Sequence, residues 1–195
     1  METLQVVSSM KSGVPMKNNP YFEKLCVVGL GYVGLPTAAI FASCGLNVLG
    51  VDINSQTVEA INAGKTPIVE PDLGILVNGA IATGHFRATN APEPADAFII
   101  AVPTPFTIGQ KPDLSYLDAA ADALAPVLAI NNVVILESTV PVGTTEQFSE
   151  RLAEKRPDLD FPSSGGGKND ISIAHSPERV LPGQVLLELT RNDRV

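Results

Sequence analysis

The feature that most constrains how this chain folds is the run from Gly29 to Gly34, Gly-Leu-Gly-Tyr-Val-Gly, which matches the pattern G-x-G-x-x-G. Residues 24–28 before it predict a short buried strand, and residues 35–42 after it predict an apolar helix. In that context the pattern predicts dinucleotide binding. The first glycine makes a tight turn, the second lets the backbone approach a pyrophosphate, and the third lets the helix pack on the strand. We therefore expect Gly29, Gly31 and Gly34 to shape a cofactor site at a helix N-terminus.

A second signal is an acidic residue at the end of the next apolar run. Asp52 follows residues 47–51 and lies 18 residues beyond Gly34, close to the spacing of about 20 expected for the residue that holds the adenosine ribose. A carboxylate at this place accepts hydrogen bonds from the ribose hydroxyls and repels a 2′-phosphate, so the sequence favours NAD over NADP. The residues alone leave an alternative open, in which the turn and the aspartate only shape an ordinary α/β unit.

Strand and helix patterns alternate along the rest of the chain, which predicts an α/β fold of the Rossmann type with a doubly wound, mostly parallel sheet. Predicted strands lie at 24–28, 47–51, 86–89, 97–102, 132–136 and 171–174, and predicted helices lie near 35–42, 55–63, 72–82 and 144–154. A further helix, which either Asp113 or Ser115 could cap, is predicted to run to about residue 129. In such a sheet the ligand lies beyond the carboxyl ends of the strands. That rule brings three clusters to the site, residues 103–105, 137–143 and 175–179.

Composition and charge argue against several classes of partner. The 195 residues are 45% hydrophobic and 17% charged, as in a soluble globular α/β protein. The formal net charge of −8, with no basic cluster, argues against nucleic acid as a partner. No apolar run reaches the length of about 18 residues that a bilayer crossing needs. With no signal-peptide pattern either, we expect no membrane partner and a cytoplasmic location.

The chain divides into a leader and one domain. Residues 1–22 lack a continuous apolar run and become rich in Ser, Gly, Pro and Asn, which predicts a disordered leader before a domain at 23–195. Cys26 falls in the first strand and Cys44 near the end of the first helix, so both are predicted to be small core hydrophobes. The two histidines lie far from other ligand types, so no metal site is predicted.

Four longer motifs follow one another along the chain: Gly-Leu-Gly-Tyr-Val-Gly-Leu-Pro at 29–36, Val-Pro-Thr-Pro at 102–105 with Pro-Asp-Leu-Ser-Tyr at 112–116, Glu-Ser-Thr-Val-Pro-Val-Gly at 137–143, and Ser-Pro-Glu-Arg-Val-Leu-Pro-Gly at 176–183. Over residues 24–195 this set resembles the N-terminal domain of the nucleotide-sugar 6-dehydrogenases, the UDP-glucose/GDP-mannose dehydrogenase family. The last motif, with Asn-Asp-Arg-Val at 192–195, is most similar to the branch that acts on UDP-N-acetyl-D-mannosamine.

The resemblance implies NAD-dependent oxidation of the C6 alcohol of a UDP-sugar to the uronate. In this family two NAD molecules are reduced per turnover. A cysteine thiolate captures the intermediate aldehyde, and the second hydride transfer leaves a thioester that water hydrolyses. Contacts to NAD are implied for Tyr32, Val33 and Asp52. Places near the ribose or nicotinamide of NAD are implied for Thr104 and Thr139.

The resemblance also implies catalytic and substrate residues. Glu178 matches a glutamate that positions water or shuttles protons for thioester hydrolysis, and Thr139 is the second residue with an implied catalytic role. Arg179 and Val180 match residues that contact the nucleotide-sugar. The favoured substrate is UDP-N-acetyl-D-mannosamine, while UDP-N-acetylglucosamine and UDP-glucose remain open.

The chain departs from the family in what it lacks. The catalytic cysteine and lysine of the family lie beyond position 195, as do the central dimerisation helix and the C-terminal UDP-binding domain. We expect the isolated chain to bind NAD weakly, to turn over no substrate and to expose an apolar surface; a homodimer is implied for the full-length family alone. The alternatives are an NAD-binding module or gene remnant, and a dehydrogenase of 3-hydroxyacid or 6-phosphogluconate type, which the motifs at 137–143 and 176–183 disfavour.

Overall fold

The computed structural model describes residues 22–107, 109, 111–162, 169–178 and 180–191. Its strands are β1 (Lys24–Val28), β2 (Asn47–Val51), β3 (Phe86–Thr89), β4 (Ala97–Ile100), β5 (Val133–Leu136) and β6 (Ser172–His175). Its helices are α1 (Gly34–Ser43), α2 (Ser55–Asn62), α3 (Leu73–Ala82), α4 (Ser115–Leu124), α5 (Thr144–Lys155) and α6 (Val185–Arg191), with a 3₁₀ turn at Ala125–Val127. Of the predicted leader only Phe22 is described, and it packs against the core.

The strands form one sheet in the order β3-β2-β1-β4-β5-β6, and every neighbouring pair is parallel. The chain builds outward from β1 to β3 and then returns to the other side of β1 to add β4, β5 and β6. The strand order therefore reverses between β1 and β4, which is where ligands bind in open parallel sheets. The predicted doubly wound parallel sheet is confirmed.

The register brings the carboxyl ends of the central strands level with one another. Val28 at the end of β1 pairs with Val51 of β2 and with Ile100 of β4, and Ile100 pairs in turn with Leu136 of β5. The residues that follow these strands therefore emerge at one edge of the sheet. The glycine turn, Asp52 and the loops after β4 and β5 are brought together in this way.

Each face of the sheet is covered by its own apolar layer, because side chains alternate along a strand. In β1, Cys26 and Val28 belong to the layer that α4 and α5 cover, whereas Leu25 and Val27 belong to the layer that α1, α2 and α3 cover. The coverage is thinner at the β5–β6 edge. There the half-buried Val133 and Ile135 share a face with exposed residues of β6.

Several boundaries differ from those the sequence predicts. The helix predicted to reach residue 129 ends at Leu124 and gives way to the 3₁₀ turn, since Pro126 has no backbone N–H to continue an α-helix. Strand β4 ends at Ile100 instead of residue 102, and β6 runs one residue later than predicted. Helix α6 was not predicted at all. Among the helices of the described residues, none has both the length and the apolar character for a bilayer crossing.

Candidate dinucleotide-binding site

The turn between β1 and α1 excludes side chains at its first position. The N–H of Gly29 donates to the carbonyl oxygen of Val51 at 2.8 Å, and Gly29 has a φ of +94°. A Cβ placed there would lie 2.5 Å from the carbonyl oxygen of Ala101, on the chain that leaves β4. Only glycine combines that left-handed conformation with so close an approach of two strands.

The other two glycines of the turn have opposite surroundings. Gly34 is the first residue of α1, and a Cβ on it would overlap the carbonyl oxygen of Gly29, so this glycine lets the helix sit on the strand. A Cβ on Gly31 would meet nothing within 4 Å. The backbone at Gly31 is therefore open on the side where a ligand could approach.

Helix α1 has no acidic residue of its own at its N-terminus. The helix also begins without a side-chain cap. The partial positive charge of that helix end is thus available to an anionic group at the turn. Tyr32 is 53% exposed and Val33 is half-buried on the same turn, where the predicted cofactor contacts would form.

Asp52 lies directly beside the glycine turn. One oxygen of its carboxylate accepts a hydrogen bond from the backbone N–H of Leu30 at 3.1 Å, and the other accepts from the N–H of Asn54 at 2.9 Å. The side chain of Asn90 donates to the carbonyl oxygen of Asp52 at 2.9 Å and anchors the backbone there. The half-buried carboxylate is thereby fixed at the place predicted for the adenosine ribose.

The loops after β4 and β5 are tied to each other. The hydroxyl of Thr104 donates to the carbonyl oxygen of Thr139 at 2.7 Å, and the hydroxyl of Ser138 donates to the carbonyl oxygen of Val102 at 2.9 Å. Thr104 is half-buried and Thr139 is exposed. Two residues predicted separately from two motifs are thus brought together, on the far side of the strand-order reversal from Asp52.

A buried acid that sequence reasoning did not identify lies under these loops. Glu137 is 3% exposed, and the hydroxyl of Thr37, which is 5% exposed, donates to its carboxylate at 3.2 Å. Thr37 is one turn into α1, so the contact joins the cofactor helix to the segment that carries Thr139. The signal for it in the sequence is an acidic residue directly after an apolar strand. Glu137 is part of the motif at 137–143, but no role is predicted for it from that motif.

The third cluster begins at the end of β6. A ring nitrogen of His175, Nε2, lies 3.0 Å from the carbonyl oxygen of Ser138, which joins this segment to the β5 loop. The carboxylate of Glu178 accepts a hydrogen bond from the N–H of Val180 at 2.6 Å, and both residues are half-buried. Arg179, predicted to contact the nucleotide-sugar, lies outside the described residues.

The cysteines are placed for packing. Cys26 is fully buried in β1, and this burial raises the pKa of its thiol to about 12, so the reactive thiolate is suppressed at neutral pH. Cys44 is half-buried at the opposite end of α1 from the glycine turn. Neither forms a disulfide, and the described part of the chain groups no three His, Cys, Asp or Glu side chains as metal ligands.

Comparisons with known proteins agree on one family. Residues 23–195 match the model of the UDP-glucose/GDP-mannose dehydrogenase family, NAD binding domain. An NDP-N-acetyl-D-galactosaminuronic acid dehydrogenase from Ralstonia nicotianae is 59% identical over 174 residues, which are 89% of this chain and 41% of that protein. A UDP-N-acetyl-D-mannosamine dehydrogenase from Campylobacter jejuni is 59% identical over 175 residues, which are 89% of this chain and 43% of that protein.

A solved structure leads to the same family. The native structure of a UDP-N-acetyl-mannosamine dehydrogenase from Staphylococcus aureus superposes with a TM-score of 0.79 at 41% identity, and covers 88% of this chain and 40% of that one. The chain therefore spans less than half the length of the proteins it matches. It belongs to the UDP-glucose/GDP-mannose dehydrogenase family, within which it forms the NAD-binding domain.

Proposed function

We propose that NAD lies across the carboxyl edge of the sheet, with its adenosine ribose on Asp52 and its pyrophosphate at the glycine turn. The observation that carries this proposal is the 3.1 Å hydrogen bond from the N–H of Leu30 to the Asp52 carboxylate, because an acid directly beside the turn supports a role in ribose binding. The opening at Gly31 supports the same placement. Thr104 and Thr139, across the strand-order reversal, would then lie near the nicotinamide half of NAD. Tyr32 and Val33 would lie near its pyrophosphate.

We propose further that this domain serves NAD-dependent oxidation of the C6 alcohol of a UDP-sugar to the uronate. Bound NAD supplies the hydride acceptor. The chain would orient it through the tied loops of Thr104 and Thr139, while Glu178 positions the water or proton for hydrolysis of the acyl intermediate. Arg179 and Val180 would contact the nucleotide-sugar. The half-buried carboxylate of Glu178, on a segment joined by His175 to the β5 loop, supports these roles.

UDP-N-acetyl-D-mannosamine is the substrate we favour. The Pro-Glu-Arg-Val-Leu-Pro-Gly sequence that ends at 183 supports it, as does the relative from Campylobacter jejuni. An equally similar relative is named NDP-N-acetyl-D-galactosaminuronic acid dehydrogenase, so a nucleotide-linked N-acetylgalactosamine is the nearest competing substrate. A cytoplasmic location, a homodimer in the full-length protein and supply of acidic sugars to surface polysaccharide belong to the same proposal.

The alternative is a module that binds NAD and catalyses nothing by itself. It is favoured by the positions of the only two cysteines, since Cys26 is buried with a raised pKa and Cys44 lies at the far end of α1. Neither can act as the thiolate that holds the aldehyde. We therefore expect the isolated chain to be inactive.

The test compares the chain alone with the same chain joined to the C-terminal part of the Campylobacter jejuni relative. NADH absorbance is followed with UDP-N-acetylmannosamine, UDP-N-acetylgalactosamine, UDP-N-acetylglucosamine and UDP-glucose in turn. We expect turnover from the joined protein alone, fastest with UDP-N-acetylmannosamine. A folded joined protein that binds NAD but oxidises none of these sugars would contradict the proposed reaction, and turnover by the isolated chain would contradict its expected inactivity.

A further inference from the structure

A second buried acid lies outside the cofactor site. Glu70, in the loop between α2 and α3, is 8% exposed. One of its carboxylate oxygens accepts a hydrogen bond from the N–H of Gly183 at 2.8 Å, and the other accepts from the N–H of Val185 at 2.7 Å. These partners are more than a hundred positions further along the chain. Glu70 lies outside all four motifs that carry the resemblance to the family.

The geometry requires a carboxylate at position 70. Two N–H donors converge on the two oxygens, so an amide of the same shape could satisfy one donor and would present its own NH₂ group to the other. The receiving segment is well fixed around this contact. Gly183 has a φ of +87°, Val185 is 1% exposed at the start of α6, and Leu186 packs against the apolar layer under α1.

The segment that Glu70 holds begins at the other end with the His175 contact to Ser138. Glu178 and Val180 lie between these two attachments. Within the same segment, the backbone N–H of Leu181 donates a hydrogen bond to the carboxylate of Glu188 at 2.6 Å. The described residues of this stretch are therefore attached at the sheet edge, through His175 and through the hydrogen bond from the N–H of Ser176 to the carbonyl oxygen of Leu136, and at the other end through Glu70.

We propose that Glu70 is a positioning residue for the substrate segment, the described residues 176–178 and 180–185. It acts through the backbone of Gly183 and Val185 and holds Glu178 and Val180 in place between this attachment and the end of β6. That these two residues serve the substrate rests on the proposed function; that Glu70 fixes their segment rests on the two hydrogen bonds that its carboxylate accepts from Gly183 and Val185. Glu70 thus adds a remote determinant of substrate geometry to the cofactor domain.

The test is amide hydrogen exchange on the chain without any ligand, so it does not depend on NAD or sugar binding. Glu70→Gln is compared with Glu59→Gln, which removes the same charge from an exposed position of α2. We expect exchange at Gly183 and Val185 to accelerate by about tenfold or more in Glu70→Gln, with faster exchange spreading to Val180. The amide of Gly29 in the cofactor turn should exchange as in the control.

A conservative variant keeps the result interpretable. Glu70→Asp retains two acceptor oxygens on a side chain shorter by one methylene group, and we expect it to restore part of the protection at Gly183 and Val185. Unchanged exchange at both amides in Glu70→Gln would overturn the proposal. Equal acceleration at Gly29 and in the substrate segment would also overturn it, because Glu70 would then support the domain as a whole.

Discussion

The second and third glycines of the cofactor turn, Gly31 and Gly34, predict a separation between stability and cofactor affinity. Gly34→Ala places a methyl group against the carbonyl oxygen of Gly29, whereas Gly31→Ala places one where nothing lies within 4 Å. The same chemical change is thus made three residues apart in opposite surroundings. We expect Gly34→Ala to destabilise the fold and Gly31→Ala to leave the fold intact while weakening NAD binding.

The magnitude for Gly34→Ala follows from two opposing terms. Overpacking a well-packed site costs roughly 1–3 kcal/mol, and the upper part of that range applies because the obstacle is backbone that the Gly29–Val51 hydrogen bond holds in place. Replacing glycine by alanine in a helix returns at most about 1 kcal/mol. The net loss is about 2 kcal/mol, which lowers the Tm of a domain of this size by roughly 4–8 °C.

The assay combines thermal unfolding followed by circular dichroism with calorimetric titration of NAD. Gly31→Ala should unfold within about 0.5 kcal/mol of the unsubstituted chain and bind NAD about tenfold more weakly or worse, because its methyl group occupies the space left for the pyrophosphate. A Gly34→Ala variant that unfolds at the Tm of the unsubstituted chain would refute the predicted clash with Gly29. Unchanged NAD affinity in Gly31→Ala would contradict the proposed place of the pyrophosphate.

Two further predictions concern buried groups near the site. Because burial raises the pKa of Cys26 from 9.0 to about 12, the folded chain holds a proton there that the unfolded chain has lost; the free energy of unfolding should therefore fall as pH rises from 9 to 12, and fall less in Cys26→Ala. Denaturant titrations between pH 9 and 12 would check this. An equal fall in the free energy of unfolding with pH in the unsubstituted chain and in Cys26→Ala would contradict it. Thr37→Val removes the hydroxyl that donates to Glu137 and should cost about 1–3 kcal/mol of unfolding free energy, whereas Thr37→Ser keeps the donor. A valine variant at least as stable as the serine variant would show that this hydrogen bond contributes nothing.

The sequence predicts those parts of the site that local patterns specify. The glycine turn and Asp52 follow from a strand-turn-helix pattern of fixed spacing, and the carboxyl-end rule for parallel sheets brings Thr104 and Thr139 to the same edge. The structure joins these two threonines by a hydrogen bond. The individual roles of these residues remain predictions, as does the contact of Arg179 with the sugar.

The contacts that the sequence did not reveal join residues that are far apart along the chain. Glu70 and Gly183 are hydrogen-bonded although 113 positions separate them, and Thr37 and Glu137 although 100 positions separate them. No local pattern in the sequence predicts either pair. Asn90, which anchors the backbone of Asp52, belongs to the same class. The sequence does not predict helix α6, because its seven residues are too few for a clear helical pattern.

The placement of NAD on Asp52 is tested by calorimetric titration of NAD and NADP into the chain and into its Asp52→Ala and Asp52→Asn variants. Far-ultraviolet circular dichroism of each protein confirms that it is folded. We predict that the unsubstituted chain binds NAD more tightly than NADP and that Asp52→Ala weakens NAD binding about tenfold or more. Asp52→Asn should narrow the difference in affinity between NAD and NADP. A folded chain that binds no NAD, or that binds it equally well without the Asp52 carboxylate, would contradict the placement of the cofactor on this turn.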